Sequence, residues 1–497
     1  MAEVRPALEE LYLGLYPREI IEAFGFHGKL SGNVSAVGEI PGAVAVAHGP
    51  RGCAWHHRHS TRRKHEIFDD LYSTDLTESD IIYGAGDKLL ETVRGIWREK
   101  HPPLIVLLPT VVSDILNEDV FHAAQLLRQE GIPAVSVKSE VFSHRERGYT
   151  RDRFRQINDQ DIAHVEKLPS ELVGCGYSEA VIALMRGWME PGEVIPHSIN
   201  LEMGWGSETH RSFAEIEAFL TRCGVTINCH LPSAPPEKLR TAPRAQLNVI
   251  CRYRWAKVMK ELFGTDCLVL NEGGGGRYVG LEGICAFYRD LAEALGIEAQ
   301  MEEQLAIERE RFLQATAEAR AQLEKRRGIV VTSDVKMAPY YYKKYVQDFG
   351  LRIEHLIILL TGDARRDFAI DSETEQRLLR RFDRAVELWG GGETQVSVNP
   401  DEESLGRILS QGYVIVGTDD FTLEGRGSVM VPHVPEESSV SFEAYARAVN
   451  RAARLAAMRG EKPELLLNRI PFSSQHLPIS DTPVNRAAKE SWARQWQ

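Results

Sequence analysis

The stretch Ala47–His59, AHGPRGCAWHHRH, follows the apolar run AVAVA and sets one thiol, Cys53, among small turn residues. Gly49, Pro50 and Gly52 give a turn with backbone freedom on either side of a rigid ring, and Cys53 lies where a helix can open. A thiol at a helix N-terminus is expected to lose its proton readily, and the thiolate is the form that binds metal. On this stretch alone two readings stay open: a buried cysteine in a strand-to-helix turn, and one ligand of an iron–sulfur cluster. The run HHRHSTRRKH at 56–65 reads either as a patch that docks an acidic partner or as a solvated helix face.

Other stretches carry weaker chemistry. NEGGGGRYVG at 271–280 lacks the lysine and threonine of a phosphate-binding loop, so nucleotide binding is not expected in this chain. MGWGSETHRSF at 203–213 offers Trp205, Glu208 and His210 to a cavity, or a helix cap through Ser207 and Thr209. KMAPYYYKKY at 336–345 is an aromatic run that packing explains. No GxSxG stretch supports hydrolase chemistry.

The elements that must position these groups alternate. Short β-branched runs at 103–110, 132–140, 195–203, 224–231, 247–253, 266–272, 328–334, 355–362, 394–399 and 413–420 are separated by amphipathic helical stretches. Nearly continuous apolar strands between helices indicate parallel sheets covered on both faces, an α/β chain. A charged segment at 144–170 separates the first group from the second, and 291–327 reads as one long helix that Gly328 can stop. Three Rossmann-like domains are expected, at 1–165, 166–325 and 326–497.

At 497 residues, several domains are the natural division. A net charge of -12 speaks against nucleic acid as a partner, because phosphate neutralisation needs clustered Lys and Arg. No apolar run approaches the roughly 20 residues that span a bilayer, so no membrane is expected and the chain reads as cytoplasmic. Seven cysteines without repeated spacing fit neither a disulfide framework nor a zinc ribbon, and most should be small core residues.

HGPRGCAW at 48–55, YSTDLTESDIIYGAGDKLLETV at 72–93 and PLIVLLPTVVSDILNEDV at 103–120 occur in that order, and together they resemble three consecutive signatures of the nitrogenase component 1 superfamily. That superfamily includes nitrogenase molybdenum–iron protein chains, cofactor-assembly scaffolds, protochlorophyllide reductase subunits and methylthio-alkane reductase subunits. Similarity continues through AQLNVICRYRWAKVMKELFG at 245–264 and PHVPEESSVSFEAYARAVNRAARL at 432–455. The resemblance implies that Cys53 matches the middle one of three cluster cysteines. His27 and Val111 occupy the other two places; imidazole can bind iron and valine cannot.

The resemblance therefore implies an iron–sulfur cluster, 4Fe-4S or P-cluster-like 8Fe-7S, shared with a homologous partner in an α2β2-type complex, with Cys53 as a ligand and His27 as a second candidate. At the place of the family's cofactor-anchoring cysteine stands Arg252, with Cys251 one residue early, and His433 matches the C-terminal histidine of that site. A larger iron–sulfur cofactor at Cys251, Arg252 and His433 is a further implication. The function implied is that of a subunit of a two-component reductase fed by an ATP-dependent iron–sulfur reductase, with carbon–sulfur bond reduction of the methylthio-alkane type as the leading activity. A cofactor-assembly scaffold or non-catalytic partner subunit, and a tetrapyrrole reductase subunit, are the alternatives.

Overall fold

The computed structural model describes residues 29–58, 68–138, 176–202, 209–250, 253–270, 278–332, 338–359, 372–390, 393–418, 423, 428–434, 437 and 439–457. The first sheet is built from α1 (Lys29–Gly38), β1 (Ala43–His48), α2 (Arg51–His57), β2 (Leu71–Ser73), α3 (Glu78–Tyr83), α4 (Gly86–Lys100), β3 (Leu104–Pro109), α5 (Val111–Ile115), α6 (Val120–Gln129) and β4 (Ala134–Ser136). The second follows with α7 (Gly176–Gly187), β5 (Ile195–Leu201), α8 (Thr209–Arg222), β6 (Thr226–His230), α9 (Pro236–Arg240), β7 (Ala245–Ile250), α10 (Tyr253–Phe263) and β8 (Asp266–Val269). After α11 (Gly280–Leu295) and α12 (Glu298–Leu323), the third contains β9 (Arg327–Thr332), α13 (Ala338–Gln347), β10 (Arg352–Ile358), α14 (Ser372–Gly390), β11 (Gln395–Val398), α15 (Glu402–Leu409), β12 (Val414–Val416) and β13 (Val429–Met430), followed by α16 (Phe442–Ala457).

The strand orders are β2-β1-β3-β4, β6-β5-β7-β8 and β11-β10-β9-β12-β13. Every described pairing is parallel. Contacts divide the chain into two compact units, one carrying the first two sheets and the other the third, with the division at Tyr278/Val279 and Ala286–Leu305 returning to the first unit. Among the described residues no helix is long and apolar enough to cross a membrane.

The period of two in a strand decides where each side chain goes. Along β1, Ala43, Ala45 and Ala47 enter one core with Leu104, Val106 and Leu108 of β3, while Val44 and Val46 enter a second core with Ile105 and Leu107. Both faces are thus dry, which is why these strands read as unbroken apolar runs. The small alanines of β1 let α1 and α7 pack closely over the first face: a Cβ on Gly32 of α1 would meet the backbone nitrogen of Tyr177 at 2.5 Å.

The helix read over 291–327 is two helices. Gly296, at φ +72, breaks it after α11, α12 ends at Leu323, and Gly328 lies inside β9 rather than at a helix end.

A buried amide ladder crosses the second sheet. Asn200 Nδ2 donates to Asn248 Oδ1 at 2.7 Å and to the Ala242 carbonyl at 2.7 Å, and Asn228 Nδ2 donates to Asn200 Oδ1 at 2.9 Å. Asn200 and Asn248 are fully buried, so each amide depends on its neighbours for the hydrogen bonds that water would supply. Asn200→Leu is expected to destabilise the chain by about 1–3 kcal/mol for each amide left unpaired; urea denaturation of the variant beside wild type measures it.

Candidate metal centre

A parallel sheet sends all its strand exits to one edge. The register pairs His48 of β1 with Pro109 of β3 and Ala47 with Ser73 of β2, so α2, α3 and α5 all leave the same carboxyl edge of the first sheet. Cys53 sits there, in the first turn of α2, partly exposed, its N–H donating to the Pro50 carbonyl at 3.0 Å.

The turn ahead of it is tightly held. Thr110 Oγ1 donates to the His48 carbonyl at 2.8 Å, the Gly49 N–H donates to Thr74 Oγ1 at 3.0 Å, and the Gly49 carbonyl accepts from Ser73 Oγ at 2.8 Å and from the Leu76 N–H at 3.1 Å. A Cβ on Gly49 would lie 2.4 Å from Thr110 Oγ1, so the first glycine of HGPRGC is required by close approach; Gly52 has nothing within 4 Å of that position. Arg51 pairs with Asp75, and Lys88 bridges the Asp75 carbonyl at 2.8 Å and Asp80 Oδ2 at 2.6 Å. The Lys88 ammonium, with the N–H and hydroxyl of Thr77, holds Asp80 down to about 2. Thr77 and Asp80 form the capping box of α3, which fixes where TESDIIY begins its helix.

The expected low pKa of Cys53 is corrected: burial pushes its thiol up from the ordinary value. α2 has only seven residues, and the loss of water around the sulfur outweighs the field of so short a helix. A metal bound here displaces a proton, so its affinity rises with pH. Among the other cysteines, Cys223, Cys229 and Cys285 are buried, and burial pushes Cys229 and the partly buried Cys267 up to about 12, as befits inert thiols. Cys53 differs from these four in following directly on the turn at a sheet's carboxyl edge.

Two features of this edge have little sequence signal. His48 is fully buried; its Nδ1 lies 3.2 Å from Thr74 Oγ1, its Nε2 has no partner among the described residues, and burial pushes the imidazole down. The three helices that leave this edge carry exposed large apolar side chains: Trp55 is 63% exposed, Ile82 72%, Tyr83 86% and Ile115 66%, and Val111 of α5 is exposed too. That five large apolar side chains of α2, α3 and α5 face solvent on one sheet edge marks an interaction surface.

His433 lies at the carboxyl edge of the third sheet, three residues beyond β13, with its N–H directed to the Thr418 carbonyl at 3.4 Å. Its Nδ1 is 3.3 Å from Glu437 Oε2 and 3.5 Å from Lys344 Nζ, and Lys344 and Glu437 form an ion pair at 2.7 Å. Sequence reading treats the Lys344 stretch as packing; the structure makes it part of this cluster. His27, Cys251 and Arg252 lie outside the described residues, as do most of HHRHSTRRKH and NEGGGGRYVG. Among the described residues no three His, Cys, Asp or Glu side chains converge as a complete metal site.

Gly49→Ala is expected to lower stability by about 1–3 kcal/mol, the range for forcing extra volume into a packed site, whereas Gly52→Ala should be near neutral; denaturant midpoints of the two variants test the contrast.

A profile of the family "Nitrogenase component 1 type Oxidoreductase" matches residues 29–151 and 162–422. The nitrogenase iron-molybdenum cofactor biosynthesis protein NifE of Clostridium pasteurianum is 34% identical over 108 residues, 21% of this chain and 24% of that protein. The nitrogenase molybdenum-iron protein alpha chain of the same organism is 23% identical over 273 residues, 52% of this chain and 45% of that protein. The chain thus spans less than half the length of either relative. A solved structure titled "Nitrogenase Cp1 at pH 6.5" superposes with a TM-score of 0.53 at 16% identity, covering 87% of this chain and 89% of that one, which shows a shared fold.

Proposed function

Because the chain belongs to the nitrogenase component 1 type oxidoreductase family, we propose that it is one subunit of a nitrogenase-like two-component reductase and contributes Cys53 to an iron–sulfur cluster held jointly with a homologous subunit. The observation that carries this is the placement of Cys53 at the carboxyl edge of the first sheet, the edge from which the helices bearing exposed Trp55, Ile82, Tyr83, Val111 and Ile115 also leave. Apolar side chains in that number are costly in water and favourable against a second protein surface. Closing that surface excludes water from the thiol, and the preceding turn is held by the Gly49 N–H donating to Thr74 and by Thr110 and Ser73 donating to its carbonyls.

When bound, a cluster of 4Fe-4S or 8Fe-7S type supplies one-electron transfer at a potential set by burial and hydrogen bonding. His27 is the second candidate ligand from this chain. An ATP-dependent iron–sulfur reductase is the second component, and the cytoplasm the compartment. His433, with Cys251 and Arg252, is the candidate site for a larger cofactor or substrate; imidazole nitrogen suits iron, and the Arg252 guanidinium suits an anionic group. Carbon–sulfur bond reduction of the methylthio-alkane type is the activity we favour, since Val111 and Arg252 depart from the nitrogen-fixing pattern. The division into Rossmann-like domains at 1–165, 166–325 and 326–497 is part of the same reading, with one parallel sheet within each range.

A second reading, a cofactor-assembly scaffold, is favoured by the likeness to a protein whose name is that of a cofactor biosynthesis protein. Turnover of a methylthio-alkane by the purified complex with its reductase and ATP supports the enzyme; transfer of a cluster to an apoprotein without turnover supports the scaffold.

Iron and acid-labile sulfide, measured in the anaerobically isolated complex, should fall to a small fraction of wild type in Cys53→Ala and stay unchanged in Cys175→Ala. Equal iron in wild type and Cys53→Ala would remove Cys53 from the cluster.

A further inference from the structure

The packing of α12 against α16 leaves a cleft with a volume of about 500 Å³, inside one compact unit. Its space comes from small side chains: Ala319 of α12 and Ala448 and Ala453 of α16 line it and are buried, so the helices meet without filling the gap between them. A hydrogen bond across the helices, from Asn450 Nδ2 to the Ala315 carbonyl at 3.1 Å, holds the two walls together. A cavity of this size lies in the range that takes a small molecule.

The lining is basic. Arg447, Arg451 and Arg454 of α16 stand four and three residues apart, which puts them on one stripe of the helix over about 10 Å. Glu443 is the one acidic residue in the sequence of α16, and it stands one turn from Arg447 only; Arg451 and Arg454 lack the acidic neighbour at helical spacing that commonly pairs with an arginine. Among the described residues no carboxylate pairs with Arg451 or Arg454. The carboxylate on the facing wall, Glu318, accepts from Gln322 Nε2 at 3.2 Å. The cleft therefore keeps a net positive charge in a chain whose net charge is -12.

A guanidinium fork binds phosphate through paired N–H bonds, two oxygens to a fork, and three forks call for the oxygens of more than one phosphate group. Two linked phosphates supply them in a compact, strongly charged form. No aromatic ring is among the described residues of the lining, so nothing there stacks on a base. We propose that the cleft between α12 and α16 is a binding site for a diphosphate group, held by Arg447, Arg451 and Arg454. Val434, which follows His433 directly, is part of the same wall, so an occupied cleft borders the segment that carries that histidine. Binding there needs neither a cluster at Cys53 nor a cofactor at His433.

Titration calorimetry of the full chain with sodium pyrophosphate, without divalent cations, should show saturable binding with a Kd below about 1 mM. Orthophosphate should bind about tenfold more weakly, the effect of losing one charge-assisted hydrogen bond. Arg451→Gln/Arg454→Gln should weaken pyrophosphate by about tenfold or more on the same ground, while Arg352→Gln/Arg384→Gln, which removes the same charge from exposed arginines of the same unit, should leave it unchanged. If the first variant does not fold, as circular dichroism will show, Gln322→Glu, which sets a second carboxylate in the facing wall, should weaken binding in its place. ADP bound as tightly as pyrophosphate assigns the site to the diphosphate group alone, and tighter binding of ADP makes a nucleotide its source; either outcome supports the site. Absence of saturable pyrophosphate binding, orthophosphate bound as tightly, equal weakening by both arginine pairs, or unchanged binding in Gln322→Glu overturns the proposal.

Discussion

The constraint on which the candidate centre depends is the approach of Gly49 to Thr110. Parallel strands place the exits of β1 and β3 side by side, and the hydroxyl that caps α5 also donates to the last carbonyl of β1. Only a residue without a side chain allows that contact, since a Cβ would sit inside hydrogen-bonding distance of the oxygen. Once the contact is made, Pro50 must turn the chain outward, α2 begins, and Cys53 comes to the edge rather than into the core. The thiol's position is thus a consequence of two strand exits being tied together, and the sequence HGPRGC is the local record of that tie.

Much of this was readable beforehand, for a definite physical reason. Strands buried on both faces are apolar at nearly every position, and each of the ten runs singled out in the sequence overlaps one of the strands. Periodicity says little about β1, whose alternate alanines favour helix, or about β2 and β13, which have three and two residues and too few side chains to show a period. The long helical pattern before the third sheet hid a break because a single residue, Gly296 at φ +72, interrupts it between two stretches that each read as helix. Gly328 carries no stop signal in its place because it is held between neighbouring strands.

The site was readable in its residue types and not in its electrostatics. HGPRGC announces a turn and a helix, and from these alone a lowered thiol pKa follows; burial reverses the sign, and burial is not a local property of the sequence. The apolar rim had the same difficulty. Ile82 and Tyr83 read as ordinary helix residues, and only the structure shows that they face solvent, on a helix that leaves the same sheet edge as those of Trp55 and Ile115. Lys344 likewise sits in an aromatic run that packing would explain, and Glu437, 93 residues away, supplies the partner that makes its burial tolerable.

The two carboxyl edges then differ in how they prepare a nitrogen or sulfur ligand. Cys53 has no basic group among the causes acting on its thiol, so its proton is retained until something binds. His433 Nδ1 stands between a carboxylate and the buried ammonium paired with it, and a tyrosine hydroxyl donates to the same carboxylate. A ligand that must wait for a partner chain gains from staying protonated and unreactive while its edge is open to water. On the reading proposed for Cys53, its retained proton keeps the open edge unreactive until a second surface closes over it.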